Sequence, residues 1–117
     1  MKNNYLIWLD DERPVPMELW NKYKEKCHIV PCHNYESAKG WLEQISVFQP
    51  ESKVIISFDH DLGVGKTGYD VAKFIVENNI KLHAYAIHSM NSVGVKNISE
   101  LLNHYGYRRV YGILSQI

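Results

Sequence analysis

Residues 54–63, with the sequence Val-Ile-Ile-Ser-Phe-Asp-His-Asp-Leu-Gly, constrain the fold more than any other stretch of the chain. Four of the first five residues are apolar, which is typical of a strand buried on both faces of a parallel sheet. Asp59, His60 and Asp61 follow directly. Taken alone, the two aspartates could equally be turn residues, because Asp is common in turns. At the end of a buried strand, they would lie at the carboxyl edge of the sheet, where α/β proteins bind ligands.

The same pattern of a buried strand followed by carboxylates occurs near the start of the chain. Residues 5–9 are all apolar, and they are followed by Asp10, Asp11, Glu12 and Arg13. Further strands are predicted at residues 27–32, 82–87 and 108–114. Pro31 indicates that the strand at 27–32 lies at a sheet edge, because proline cannot donate a ladder hydrogen bond.

Helical patterns alternate with these strands. Apolar residues recur at helical spacing after Pro16, after Asn34 as an N-cap, over residues 69–79 and over residues 98–105. This order predicts a three-layer, flavodoxin-like or receiver-like α/β fold formed by a single domain, residues 1–117. Its five-stranded parallel sheet would have the strand order 2-1-3-4-5, and the final helix would be shortened or absent. The core is expected to include three aromatic side chains, those of Trp20, Trp41 and Phe74.

The charge balance excludes some classes of partner. The 117 residues contain 13 Lys and Arg and 13 Asp and Glu, so the formal net charge is zero and duplex DNA is not an expected partner. The apolar run at residues 5–9 is too short for the core of a signal peptide or for a membrane span. The two cysteines, Cys27 and Cys32, do not make a disulfide framework, which fits a reducing compartment. We therefore expect a cytoplasmic protein without a membrane partner.

The predicted strand order places the first and third strands side by side. The aspartates that follow these two strands would then lie close together. Crowded carboxylates require a neutralising positive charge, and a divalent cation with oxygen ligands can supply it. Mg²⁺ is the first choice, whereas the imidazoles of His60 and His88 leave Mn²⁺, iron and Zn²⁺ open. The predicted metal ligands are Asp10, Asp11, Asp59 and Asp61.

Several of these positions resemble those of response-regulator receiver domains. They are the acid pair after strand one, Asp59 after strand three with Leu62 three residues later, a glycine that opens the next helix, and a hydroxyl residue, Ser89, after strand four. The resemblance implies that the acid pair binds magnesium and that Asp59 accepts a phosphoryl group. The chain departs from receivers at strand five, where they carry a lysine and this sequence has Arg108 and Arg109.

A narrower resemblance covers nearly the whole chain. The chain resembles the receiver-like family named for predicted cyclic-phosphate processing. The resemblance lies in residues 8–14, 59–63, 67–71 and 88–91, followed by 93–94 and 97–98. The His-Ser-Met-Asn block at 88–91 is the most specific part of this resemblance. It implies a receiver-like fold and chemistry on a cyclic phosphate.

The candidate site residues predict a metal-dependent phosphoesterase that acts on a cyclic phosphate, carried by an RNA end or a phosphorylated small molecule such as a nucleotide derivative. The metal would polarise the phosphoryl oxygens and lower the pKa of a bound water, and Asp59 would be a ligand or a nucleophile. His88 or His60 would protonate the leaving sugar oxygen.

Trp8, close to the acid pair, either packs in the core or lines a base-binding pocket. Ser89 completes the catalytic group, and the candidate substrate-binding residues are Arg13, Lys66, Asn91 and Asn97.

Two other functions fit the same residues. The chain could be a non-catalytic signalling or interaction module that is phosphorylated on Asp59, or a degenerate receiver kept as a binding surface. The absence of the strand-five lysine counts against signalling, and the histidines favour catalysis. Association is a separate expectation: without a final helix, the sheet face near the C-terminus would stay exposed, which predicts that a homodimer, or a fused partner domain in relatives, covers it. That face would include Ile113, Leu114 and Ile117.

Overall fold

The computed structural model describes residues 4–111, which alternate between strands and helices as predicted. In chain order the elements are β1 (Asn4–Leu9), α1 (Met17–Tyr23), β2 (Cys27–Cys32), α2 (Tyr35–Phe48), β3 (Lys53–Phe58), α3 (Gly68–Glu77), β4 (Ala84–Ile87) and α4 (Ser92–His104). The bounds of β2 are those predicted from the sequence, whereas β4 begins two residues later than predicted. Within this range, no helix combines the length and apolar character needed to span a lipid bilayer.

The strands form one parallel sheet in the order β2-β1-β3-β4. This order confirms the prediction for the first four strands, and β2 lies at the edge, as Pro31 indicated. Leu9 pairs with Phe58, and Phe58 pairs with Ile87, so that β1, β3 and β4 end in one row. The residues that follow these three strands therefore meet at the carboxyl edge of the sheet.

The prediction of a fifth strand over residues 108–114 is wrong in the part that the structure describes. Residues 108–111 contribute an isolated parallel bridge between Tyr85 and Arg109. The Tyr85 N–H donates to the carbonyl of Arg108, and the Val110 N–H donates to the carbonyl of Tyr85. In a parallel strand, alternate residues direct their backbone N–H and C=O groups to opposite neighbouring strands. Because β4 is short, few of its backbone groups face residues 108–111. The remainder of the predicted strand, and Ile113, Leu114 and Ile117 of the predicted dimer face, lie outside the described residues.

Helices cover both faces of the sheet, which gives the three predicted layers. One face packs against α2, α3 and α4 through residues such as Ile7, Ile56 and Leu102. The other face packs against α1 through Leu6 and Leu19. Because both faces are covered, the central strands are buried throughout, apart from their first residues.

The aromatic residues predicted for the core divide into two groups. Phe74 is buried, as predicted. Trp20 and Trp41 were wrongly assigned to the core, because 36% and 38% of their surfaces stay exposed. Both lie beside the edge strand β2, where a cavity remains open to solvent. A helical spacing of aromatic residues therefore identified the helices but not how completely the sheet edge would be covered.

Candidate active site

Asp10 is the most deeply buried charged residue of the site and organises the turn after β1. The residue is 1% exposed. The backbone N–H groups of Glu12 and Arg13 donate to Oδ1 at 2.9 and 2.7 Å, and Arg13 Nε donates to Oδ2 at 2.9 Å. Burial by itself raises the pKa of Asp10, but the hydrogen bonds from Arg13, Glu12 and His88 outweigh it and hold the pKa below its usual value. Asp10 is therefore an ionised carboxylate.

His88 follows β4 and is held from three sides. Its Nε2 lies 3.0 Å from Asp10 Oδ2, and its Nδ1 lies 2.7 Å from Ser57 Oγ. Its ring stacks on Trp8, with 3.8 Å between centroids and 5° between planes. Burial lowers the pKa of His88 more than Asp10 raises it. The imidazole is therefore neutral, with the proton on Nε2 donated to Asp10 and with Nδ1 accepting from the Ser57 hydroxyl.

Asp59 and Arg13 complete the centre of the site. Asp59 is buried at the end of β3, and Arg13 Nη2 lies 3.7 Å from its Oδ2. The same Nη2 donates to the backbone carbonyl of His88 at 3.4 Å. One ligand atom from each of Asp10, Asp59 and His88 lies within 4.8 Å of the other two. The ends of β1, β3 and β4 thus bring together two carboxylates, one imidazole and one guanidinium.

A cavity of about 500 Å³ opens over this centre. The four predicted aspartates all line it, and one arginine, Arg13, accompanies them. The lining therefore keeps an excess of negative charge, which a divalent cation would neutralise. Two carboxylates and an imidazole within reach of one point suit Mn²⁺ or Zn²⁺ as well as Mg²⁺. The donor set fits a metal ion. The remaining residues of the lining are Glu12, Gly63 and Met90.

His60 and Asp61 point toward the start of α4. His60 Nδ1 lies 3.0 Å from Asp61 Oδ1, and Asn91 Nδ2 lies 3.4 Å from both carboxylate oxygens of Asp61. Asn91 also caps α4, because its Oδ1 accepts from Gly94 N–H at 2.9 Å. The His60 ring packs so closely on Gly94 that a Cβ at residue 94 would collide with it. His60 is therefore part of the contact between the β3–α3 loop and α4.

The other predicted site residues lie away from the centre. Ser89 Oγ accepts from the backbone N–H of Asn91 at 3.1 Å. Lys66 Nζ lies over the ring of Tyr35, 4.4 Å from its centroid. Asn97 is exposed in the middle of α4. Within residues 4–111, no hydrogen bond or ion pair joins these three side chains to Asp10, Asp59 or His88.

Sequence reasoning missed the role of Ser57 and, although it noted a glycine that opens the next helix, it missed the structural role of that residue, Gly68. Ser57 is the hydroxyl partner of His88 and is buried, and its signal in the sequence was the one polar residue within the run 54–58, two positions before Asp59. Gly68 lets the start of α3 approach the backbone of Asp59, with which a Cβ would collide. Its signal was the absence of a side chain at the first position of a helix that must pack on a strand end.

The parallel sheet of order β2-β1-β3-β4, with aspartates after its first and third strands, defines a receiver-like α/β domain. The family model of cyclic-phosphate processing receiver domains matches residues 5–104. The chain therefore belongs to this family, which confirms the resemblance found in the sequence. Comparison with curated proteins and with solved structures finds no significant match.

Proposed function

We propose that the protein is a metal-dependent phosphoesterase that opens a cyclic phosphate. The observation that carries the proposal is the convergence of Asp10, Asp59 and His88 within 4.8 Å, beside Arg13. This arrangement combines metal ligands, a phosphate-binding cation and a titratable imidazole at one edge of the sheet. Membership of the cyclic-phosphate processing receiver family supports the class of substrate.

Asp10 and Asp59 would hold the metal ion, with Asp11 and Asp61 on the wall of the same cavity. A bound divalent cation would polarise the phosphoryl oxygens and lower the pKa of a bound water. Magnesium remains our first choice for a carboxylate site, with Mn²⁺ and Zn²⁺ as alternatives because His88 is near. A metal ion would also take over part of the charge neutralisation that Arg13 supplies.

Arg13 would bind the phosphate. Its side chain is half exposed at the cavity, and its guanidinium contacts both Asp10 and Asp59. A planar guanidinium can donate two parallel hydrogen bonds to phosphate oxygens. Arg13 would therefore orient the cyclic phosphate over the acidic centre, and its own turn is fixed by the backbone hydrogen bonds to Asp10.

His88 would donate a proton to the leaving sugar oxygen. In the reaction a water oxygen bonds to phosphorus, one ester P–O bond of the ring breaks, and the released oxygen takes a proton. The product is an acyclic phosphate monoester with a free hydroxyl group. A phosphate bound near Nε2 would favour the protonated imidazole, because opposite charges stabilise each other. Ser57 and Trp8 would keep the ring in place during this step.

The position of His88 also supports a second role, as a third metal ligand. Its ligand nitrogen lies within 4.8 Å of the carboxylate oxygens of Asp10 and Asp59. Nε2 cannot bind a metal and donate a proton at once, so that the two roles exclude each other. Metal binding by a His88→Ala variant distinguishes them.

The test of the proposed function is a substrate panel. Adenosine 2′,3′-cyclic phosphate, an RNA oligonucleotide with a 2′,3′-cyclic end and acetyl phosphate are each incubated with Mg²⁺, Mn²⁺ or Zn²⁺. We expect metal-dependent opening of a cyclic phosphate, and loss of this activity in Asp10→Asn and Asp59→Asn. Glu43→Gln, an exposed carboxylate on α2, is the matched control. Absence of turnover with every substrate and metal would rule out the enzyme.

A signalling receiver is the second candidate, and the position of Asp59 favours it. Asp59 follows β3, where receivers carry their phosphoacceptor, and Arg13 supplies a cation beside it. Arg109 does not replace the missing lysine, because it donates to Ser99 Oγ at 3.2 Å, and Arg108 lies 3.4 Å from His83. Stable labelling of Asp59 by acetyl phosphate, without turnover of a cyclic phosphate, would support this candidate.

A further inference from the structure

A second cavity, of about 340 Å³, adjoins the candidate active site on the face of the sheet that packs against α1. Its lining is mostly apolar and comes from five separate elements or segments, represented by Trp8, Leu19, Ser57, Ala86 and Val110. The volume lies in the lower part of the range of small-ligand pockets, which are also mostly apolar with a few polar groups. We refer to this cavity as the α1 pocket.

His88 links the α1 pocket to the acidic centre. The residue lines the pocket, and its Nε2 lies 3.0 Å from Asp10 Oδ2. A single imidazole ring therefore separates the pocket from a carboxylate that would hold the metal. Trp8, which stacks on His88, belongs to the same wall. A group bound in the pocket would lie beside His88, whose backbone carbonyl accepts from the Arg13 side chain that would bind the phosphate.

The polar residues at the α1 pocket select the kind of group that it can bind. Among the described residues, no lysine or arginine lines it, so a phosphate has no strong cationic partner there. Glu18, on the first turn of α1, presents a carboxylate that accepts hydrogen bonds from amino groups. Tyr111 contributes an aromatic ring that is 68% exposed, although Arg109 lies 4.4 Å from its centroid. These are the contacts that a flat ring with an amino group requires.

We propose that the α1 pocket binds the nucleobase of the substrate, with Tyr111 stacking on the base and Glu18 accepting from its exocyclic amino group. The inference rests on the proposed function and specifies it: the substrate is a nucleoside cyclic phosphate rather than a cyclic phosphate of a small polyol. The base lies against Leu19 and Val110, and the phosphate lies beside Arg13. An amino group for Glu18 is present in adenine, cytosine and guanine and absent from uracil.

The first experiment compares adenosine 2′,3′-cyclic phosphate with glycerol 1,2-cyclic phosphate, which has no base. Stacking of one base on an aromatic ring strengthens binding. We therefore expect kcat/KM to be higher for the adenosine compound by about tenfold or more. The advantage should appear mainly in KM, because the base is remote from the reacting bond. Equal kcat/KM for the two substrates would show that the enzyme exists but that the pocket does not recognise a base.

The second experiment uses variants at the rim, where the fold does not depend on the side chain. Tyr111→Ala and Glu18→Ala should each reduce the preference for the adenosine compound severalfold while leaving turnover of the glycerol compound unchanged. Tyr105→Ala, which removes another exposed tyrosine at the C-cap of α4, is the matched control. A preference that survives in both rim variants would contradict the assignment of their roles.

A binding measurement keeps the inference testable if no cyclic phosphate is turned over. Millimolar adenosine is added to the wild-type protein, and the amide signals of Ala86 and Val110 are followed by NMR. We expect shifts at these residues that weaken in Tyr111→Ala. Adenosine that moves neither signal would overturn the base pocket, whatever the protein catalyses. Shifts without catalysis would retain the pocket and reject only the proposed function.

Discussion

The imidazole of His88 lies flat on the indole of Trp8, 3.8 Å away and nearly parallel to it. The sheet register explains this contact. Trp8 pairs with Ser57, and Ser57 pairs with Ala86, so the three side chains form a row on one face. Because the side chain of Ala86 is small, the space beside Ser57 is left for the ring of His88, which follows two residues later. The candidate catalytic imidazole is thus positioned by the strands before any ligand binds.

The Ser57 hydroxyl should hold the His88 ring in place, because it donates to Nδ1 while Asp10 keeps the proton on Nε2. In Ser57→Ala, Nδ1 loses its donor, and the free energy of unfolding should fall by about 1 kcal/mol. The ¹⁵N chemical shift of His88 Nδ1 should then move toward that of a ring nitrogen without a hydrogen-bond donor, and kcat should fall with little change in KM. Ser46→Ala, on α2, is the control for loss of a serine hydroxyl. An unchanged Nδ1 shift in Ser57→Ala would show that the Ser57 hydroxyl does not donate to the ring.

A divalent cation should stabilise the folded protein, because it binds the aspartate cluster only when the sheet brings the aspartates together. At a concentration of 100 times its dissociation constant, a ligand of the native state contributes about 2.7 kcal/mol. Thermal melts in the presence of Mg²⁺, Mn²⁺ or Zn²⁺ measure this effect. The metal-dependent shift should disappear in Asp10→Asn and persist in Glu43→Gln. Equal shifts in wild type and Asp10→Asn would place the bound metal elsewhere.

Because the His60 ring packs on Gly94, any side chain at residue 94 should destabilise the folded protein. A methyl group at residue 94 would meet the imidazole ring, so Gly94→Ala should lower the free energy of unfolding by about 1–3 kcal/mol. Gly40→Ala is the matched control, since a Cβ there meets no atom within 4 Å and alanine favours a helix by about 1 kcal/mol. Urea unfolding measures both changes.

The double variant His60→Ala/Gly94→Ala tests the same contact. Removing the ring should make room for the new methyl group, so that the two substitutions together destabilise the protein less than the sum of their separate effects. Strict additivity would show that Gly94 is required for another reason.

Cys27 and Cys32 should react slowly with thiol reagents in the folded protein. Both thiols are buried, and burial raises the pKa of each, which disfavours the reactive thiolate. Ellman's reagent should detect two fast thiols in urea and nearly none without it. A thiol that reacts rapidly under native conditions would show that the edge strand β2 opens in solution.

The centre of the site could be predicted from the sequence because parallel strands of known order end in one row. That rule alone brings Asp10, Asp59 and His88 together, whatever the loops do. It does not extend to Lys66 and Asn97. Lys66 lies in a loop whose direction depends on backbone angles, including the positive φ of Gly63 and Gly65. Asn97 depends on the rotation of α4 about its axis, which the Asn91 cap and the packing of Gly94 determine together.

Most of the strands and helices could also be predicted from the sequence. Apolar runs and helical spacing identified the elements, since these patterns reflect which faces are buried. They did not show that residues 108–111 would meet β4 only at Tyr85, because pairing depends on the partner strand as well as on the segment itself. The exposure of Trp20 and Trp41 likewise depends on where the sheet ends, which no local pattern records.

His88→Ala separates the two roles of the imidazole and the two candidate functions. As a proton donor, His88 should contribute about 10²–10⁴-fold to the opening of a cyclic phosphate, and its loss should leave the metal-dependent melting shift in place. The activity loss should be smaller on a nitrophenyl phosphodiester, because nitrophenolate leaves without protonation. If His88→Ala also loses the melting shift, the residue is a metal ligand instead. Wild-type turnover of the natural substrate in His88→Ala would exclude both roles. A protein that opens no cyclic phosphate but stably accepts a phosphoryl group on Asp59 would be a signalling receiver.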